Sequence, residues 1–246
     1  MSTFVFDAYG TLYDVNSVAQ ATEEAFPGHG ETITQVWRLK QLEYTWLRTL
    51  MDRYVNFWEV TRESLVYTLD SLGLSCEPAT FDHILDRYLH LSPYPDALGA
   101  LEALRAQGHT LAILSNGSQE MLDRLVANTG LKHALDAVIS IDPNRRFKPS
   151  HSAYELVGDT IGATTDDVVF VSCNPFDVCG AKGFGFKVAW IERVPPQMMQ
   201  DEVRAASVVG PGTMFRLLRM QMDTLDFRPD FTIETLTGLT DLHTAG

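Results

Sequence analysis

The sequence predicts an α/β protein, a parallel sheet wound with crossover helices and interrupted near its start by a wholly helical segment. Three observations carry that expectation. Phe4-Val5-Phe6 is an apolar run with no polar alternation, as in a strand buried on both faces. From Val15 to about Ser92 the apolar residues recur at helical spacing, and no strand pattern breaks them. After Ser92-Pro93-Tyr94-Pro95, short strand-like runs alternate with helical ones.

Taken in order, the first strand gives out at Asp7, and Gly10 lets the chain turn. In an open α/β sheet, ligands bind outside the carboxyl ends of the strands, so a carboxylate there faces a crevice. Capping a turn is the commoner task of an Asp, and this stretch alone leaves both readings open. In the helical segment, Ile33, Val36, Trp37, Tyr44, Leu47 and Met51 form one apolar stripe. Arg38, Gln41, Leu42 and Thr45 share another face of the same helix. A further helix is expected from Thr61 through Leu65, Leu69 and Leu72, closed by Gly73, and a last one around Phe81, Ile84, Leu85, Tyr88 and Leu89.

Beyond it, strands are expected over 110–114, 137–141, 168–171 and 187–191, with helices over 97–107, 119–129, 152–161 and 177–183. Past Pro195 the pattern weakens to a helix over 213–222 and a short strand over 231–233. The expected organisation is a core built from 1–14 and 93–246, with a helical subdomain inserted at 15–92.

Composition narrows the partners. At 246 residues and 45% hydrophobic content the chain can bury a full core. A net charge of −13 with no basic block argues against nucleic acid or an acidic membrane surface. An anionic small substrate would need local cations, which suffice because the overall field is screened beyond roughly 8 Å. Cys76, Cys173 and Cys179 are too few and too unevenly placed for a disulfide framework or a thiolate metal site. Reduced cysteines, no room for a signal peptide before the first strand and no apolar run long enough to cross a bilayer lead to an expected cytoplasmic location. Gly183 and Gly185 do not complete a dinucleotide fingerprint.

Polar residues gather where strands end. Asp7 and Thr11 follow the first, Ser115-Asn116-Gly117 the second, and Ser172-Cys173-Asn174-Pro175-Phe176-Asp177 the run over 168–171, while Lys148-Pro149 opens a helix. Singly, each reads as a helix cap or a solvated loop lysine. Jointly, they put two carboxylates, a Ser/Asn pair and a lysine at one sheet edge, a usable catalytic set. Lys148 beside Asp7 would keep that carboxylate ionised. With a reference pKa of roughly 4, an Asp at neutral pH needs no base to act as a nucleophile.

As an ordered set, Asp7-Ala8-Tyr9-Gly10-Thr11-Leu12, Ser115-Asn116-Gly117, Lys148-Pro149 and the Ser172 to Asp177 block resemble the haloacid dehalogenase superfamily. The run RLKQLEYTWLRTLM from Arg38 to Met51 resembles the cap helix of its L-2-haloacid dehalogenases. The resemblance implies a Rossmann-like core with an inserted helical cap subdomain. It also implies a two-step hydrolysis in which Asp7 displaces halide from C2 of a 2-halocarboxylate and water then cleaves the ester. The superfamily's phosphatases carry a second Asp where this chain has Tyr9, and around Ser172 and Asn174 only Asp177 adds a carboxylate. That is a poor set for a hard cation, so neither metal nor cofactor is expected.

The resemblance further implies a role for each position. Arg38 would receive the departing halide, with Asn116 as second donor. Ser115 and the backbone N–H groups after Asp7 would hold the carboxylate. Lys148, Tyr154 and Ser172 would position Asp7 and the water, and Asn174 and Asp177 would orient or activate that water, with Thr11 bonding nearby. Asp177 and Lys148 remain alternatives as the principal activator. Ala8, Tyr9, Leu42, Phe57 and Phe176 would line the pocket and exclude water. Phe176 replaces a Trp found in some relatives, and Cys173 reads as a small buried filler. The resemblance implies a homodimer as well. Alternative readings are a defluorinating or ring-opening relative acting on other small carboxylates, a phosphotransfer enzyme, and a binding module on the same scaffold.

Overall fold

The apolar runs of the sequence become the middle of a sheet covered on both faces, as their lack of polar alternation requires. The structure is a computed structural model that describes residues 2–242; Met1 and residues 243–246 of the expected core lie outside the described residues. Among the described residues the main sheet has six strands in the order β5-β4-β1-β6-β7-β8, every neighbouring pair parallel. They are β1 (Thr3–Phe6), β4 (Thr110–Ser115), β5 (Ala137–Ser140), β6 (Val168–Ser172), β7 (Lys187–Ile191) and β8 (Phe231–Ile233). The α/β class and the parallel sheet are as the sequence predicts.

Register positions the chemistry. Phe6 sits beside Ile113 and Val171, so β1, β4 and β6 deliver Asp7, Ser115 and Ser172 to the same edge. The Asp7 backbone N–H continues the ladder by donating to the Val171 carbonyl at 2.9 Å. Beyond it the chain doubles back, with the Ala8 carbonyl accepting from Leu12 and Tyr13, both at 3.0 Å. Gly10 holds φ +95°, a conformation that costs a residue without Cβ little.

Between two-residue strands β2 (Tyr13–Asp14) and β3 (Ser92–Pro93) the chain is helical: α1 (Ala19–Ala25), α2 (Gly30–Leu50), α3 (Phe57–Ser71) and α4 (Pro78–Asp86). β2 and β3 pair antiparallel, with Tyr13 opposite Pro93 and Asp14 opposite Ser92. The helix α3 begins at Phe57 rather than Thr61, because Asn56 caps it by accepting from the Glu59 N–H at 3.0 Å. The apolar stripe of α2 is buried only at its start. Ile33 and Trp37 are in the core, whereas Leu47 and Met51 lie exposed along a surface hollow shared with Val66 and Tyr67.

The core helices are α5 (Ala97–Ala106), α6 (Gln119–Thr129), α7 (His151–Ile161) and α8 (Pro175–Phe184). Two more follow β7: α9 (Pro196–Ala205), which the sequence reading did not anticipate, and α10 (Pro211–Arg219), which ends before the expected Met222. Only Met199 of α9 is buried, so that helix carries almost no apolar periodicity to read.

One glycine fixes how closely α8 approaches the site. A Cβ on Gly180 would collide with the Tyr154 hydroxyl and the Pro149 ring. Alanine would gain about 1 kcal/mol of helix propensity there, but overpacking costs about 1–3 kcal/mol. Gly180→Ala should therefore lower stability in urea denaturation, and a gain would contradict this packing.

Candidate active site

Asp7 stands at the carboxyl end of β1, 5% exposed, with both oxygens engaged. Lys148 Nζ donates to Oδ1 at 2.8 Å. Thr11 Oγ1 and Asn174 Nδ2 donate to Oδ2 at 3.0 and 2.8 Å. The carboxylate is thus fixed in its rotation by three donors from three segments of the chain.

Lys148, 1% exposed, also donates to Asp177 Oδ2 at 2.7 Å and to the Leu114 carbonyl at 3.1 Å. Its backbone N–H is held by Asn116 Oδ1 at 2.8 Å, and the peptide bond to Pro149 is cis. Burial by itself would lower the Lys148 pKa, but the charges of Asp177 and Asp7 outweigh it and hold the ammonium above its ordinary value.

Asp177 lies in the first turn of α8, where the helix dipole favours a negative charge. Tyr154 Oη donates to its Oδ1 at 2.8 Å, and Ser172 Oγ to its Oδ2 at 3.1 Å. Burial, together with the nearby Asp7 charge, nevertheless pushes the Asp177 pKa up to about 6 against the pull of Lys148. Tyr154 is raised well above the usual phenol value, first by burial and then by Asp177, so it remains a donor. Cys173 is pushed up to about 12 by burial and by Asp7, and its thiol donates to the Gly10 carbonyl at 2.8 Å.

From the insertion, α2 brings Arg38 to the same place, only 4% exposed. Its Nη2 donates to the Tyr9 carbonyl at 3.3 Å and its Nη1 to Gln41 Oε1 at 2.6 Å. The Tyr9 ring packs against Phe57 at 5.2 Å and Tyr88 at 6.3 Å between centroids. Leu42 is buried one turn after Arg38. Phe176 packs edge-on against Trp46 at 5.3 Å, beside a cleft of about 600 Å³ that Phe147, Pro149 and Ser150 also line.

The structure brings Asp7, Thr11, Lys148, Tyr154, Ser172, Asn174 and Asp177 into one continuous hydrogen-bonded array. Within it, Tyr154 and Ser172 bond Asp177 rather than Asp7, while Asn174 and Thr11 bond Asp7 itself. Ser115 ends β4 fully buried, and its hydroxyl oxygen accepts from the Gly117 N–H at 3.1 Å. The buried Ala8 serves the turn through its carbonyl.

Two participants were not singled out from the sequence. Gln41 shares a helix face with Arg38, a signal already visible at spacing three. Arg193 donates to the Thr11 carbonyl at 3.0 Å and pairs with Asp96 at 2.8 Å. It lies just past the end of β7, so applying the strand-end rule to every strand would have found it.

The model of the haloacid dehalogenase-like hydrolase family matches residues 1–185. The chain belongs to that family. It is 52% identical to the (S)-2-haloacid dehalogenase of Xanthobacter autotrophicus over 96% of this chain and 92% of that protein. The haloacetate dehalogenase H-2 of Moraxella sp. strain B is 46% identical over 78% of this chain and 86% of that protein. The solved structure of the Xanthobacter autotrophicus L-2-haloacid dehalogenase with chloropropionic acid covalently bound superposes with a TM-score of 0.94 at 50% identity, covering 98% and 97% of the two chains. Within the haloacid dehalogenase-like hydrolases, these likenesses place the chain in the L-2-haloacid dehalogenase branch.

The titrations above give a pH signature. A raised acid is protonated below its pKa, so activity that needs ionised Asp177 should fall as pH drops through about 6. A raised lysine keeps its charge as pH rises, so no loss from Lys148 should appear below roughly pH 10. A pH–rate profile that is flat below 6, or falls between 8 and 10, would contradict this assignment.

Proposed function

We propose that the protein hydrolyses L-2-haloacids to 2-hydroxy acids of inverted configuration through an ester on Asp7, without a metal. The observation that carries the reading is the pairing of a rotationally fixed carboxylate, Asp7, with a buried guanidinium, Arg38, anchored to the carbonyl of Tyr9 only two residues along. The covalent chloropropionate adduct in a structure 50% identical supports it.

In the first step an Asp7 oxygen bonds C2 of the substrate, and the carbon–halogen bond breaks with its electron pair leaving on the halide. Arg38 stays charged and offers a planar fork of donors to that anion. Asn116 has its carbonyl end committed to Lys148, which leaves its NH₂ group for the halide. Ser115 and the N–H groups after Asp7 serve the substrate carboxylate, while Tyr9, Leu42, Phe57 and Phe176 exclude bulk water.

In the second step water gives a proton to a base and attacks the ester carbonyl carbon of Asp7, the bond from that carbon to the ester oxygen breaks with its electron pair on that oxygen, and the oxygen takes the proton back as the hydroxy acid departs. The water oxygen stays in Asp7. Lys148 is held protonated and cannot take the water's proton, whereas the raised basicity of Asp177 suits it to that task. Metal-independence is supported by the donor set: the Lys148 ammonium is lodged between the two carboxylates, and Tyr9 stands where a phosphatase has its second Asp. A homodimer is part of the proposal, with exposed Leu47, Met51, Val66 and Tyr67 offering the apolar contact. Sedimentation velocity on the intact chain should show a dimer, and a monomer at micromolar concentration would remove that element.

The decisive experiment is stereochemical and isotopic. Halide should be released from L- but not D-2-chloropropionate, undiminished by a chelator. A single turnover in heavy-oxygen water should label the peptide that contains Asp7. An unlabelled Asp7 rules out the ester, and chelator-sensitive phosphate-ester hydrolysis without halide release would replace the reading altogether.

A further inference from the structure

We propose that Gln41 is a positioning residue that holds the Arg38 guanidinium in its anion-receiving orientation while leaving its positive charge uncompensated. The inference rests on the proposed halide role of Arg38 and extends it to a residue that touches no reacting atom.

The geometry fixes the Gln41 amide in one sense. Gln41, Thr61 and Arg38 are all nearly or wholly removed from solvent. The Thr61 hydroxyl spends its one proton on the Phe57 carbonyl at 2.7 Å, so its oxygen can only accept from any further partner. Gln41 Nε2 lies 2.7 Å from that oxygen and must therefore be the NH₂ end. The carbonyl end then faces Arg38 Nη1 at 2.6 Å, with the Tyr88 hydroxyl donating to the same oxygen at 3.5 Å. Trp37 Nε1, donating to the Thr61 carbonyl at 2.8 Å, ties α2 to α3 on the same line. The orientation of Arg38 thus descends from the backbone of α3 through two side chains.

The choice of an amide matters electrostatically. A carboxylate at this place would bond Arg38 at least as well, since charge-assisted bonds are the stronger ones. It would also cancel the charge that an arriving halide needs, in surroundings where few other charges screen it. It would set a second pure acceptor against the Thr61 oxygen. Gln supplies orientation without neutralisation, and the other hydrogen bond of Arg38, to the Tyr9 carbonyl, likewise runs to an uncharged oxygen. Lys148 shows the opposite solution in the same site, a cation held by two carboxylates.

The test compares Gln41→Glu, Thr61→Val and Arg38→Lys in the intact enzyme with L-2-chloropropionate as substrate and sodium bromide as inhibitor. Thermal unfolding serves as the check on folding. Gln41→Glu should weaken bromide inhibition and lower kcat/KM by about tenfold or more, the new carboxylate being favoured in its ionised form by the adjacent guanidinium. A role confined to packing would leave bromide inhibition unchanged. Thr61→Val, isosteric but without the acceptor, should weaken bromide inhibition several-fold at unchanged charge, and it stands in if the Glu variant does not fold. Wild-type bromide affinity in both Gln41→Glu and Thr61→Val, alongside a loss in Arg38→Lys, overturns the positioning role and spares the halide role of Arg38. Wild-type behaviour in Arg38→Lys overturns both.

Discussion

The Lys148 ammonium reaches the carboxylates of Asp7 and Asp177 at 2.8 and 2.7 Å with all three side chains almost wholly withdrawn from water. Taking an ion out of water costs several kcal/mol, and mutual attraction repays that only when the remaining donors and acceptors are also met. Here they are met from every side. The Leu114 carbonyl takes a third proton of Lys148, Thr11 and Asn174 complete Asp7, and Tyr154 and Ser172 complete Asp177. These groups come from the ends of β4 and β6, the turn after β1, and the first turns of α7 and α8. The register of the central strands is what brings them to one edge.

Against this closed array stands a cation of a different kind. Arg38 comes from the insertion, and its hydrogen bonds run to neutral oxygens. The division separates two electrostatic tasks that conflict if placed on one group. Lys148 is saturated by anions and therefore fixes geometry, while the charge of Arg38 is met by no carboxylate among the described residues and stays in reserve. In a chain of net charge −13, such reserve has to be local and sheltered.

Much of this was legible in the sequence because the strands are short apolar runs with polar residues at their carboxyl ends. Asp7, Ser115, Ser172 and Asp177 could be placed at one edge without knowing any contact, since parallel topology brings such ends together. Lys148 is harder to place, since it lies on a loop and reads singly as a solvated lysine; only its company with the polar residues at the strand ends points to the site. Which oxygen each donor serves was not legible at all: that Tyr154 and Ser172 attend Asp177 while Asn174 and Thr11 attend Asp7 depends on ångström-scale placement of turns. The start of α3 is set by a cap that apolar spacing does not mark: the Asn56 side chain accepts from the Glu59 N–H and draws the helix back to Phe57. Helix α9 leaves no periodic trace in the sequence, because it buries a single methionine.

The chain leaves the sheet for the insertion through β2 and returns through β3, and these two short strands are paired side by side, with the Tyr94 N–H donating to the Leu12 carbonyl at 2.9 Å beyond them. Exit and re-entry are therefore a single doorway. For the core, everything between Asp14 and Ser92 counts as one loop whose ends already meet, and the entropic cost of such a loop grows only slowly with its length. That one doorway fastens a helical layer over the sheet edge, so that a guanidinium carried by the insertion, Arg38, comes to rest on the very turn that carries Asp7.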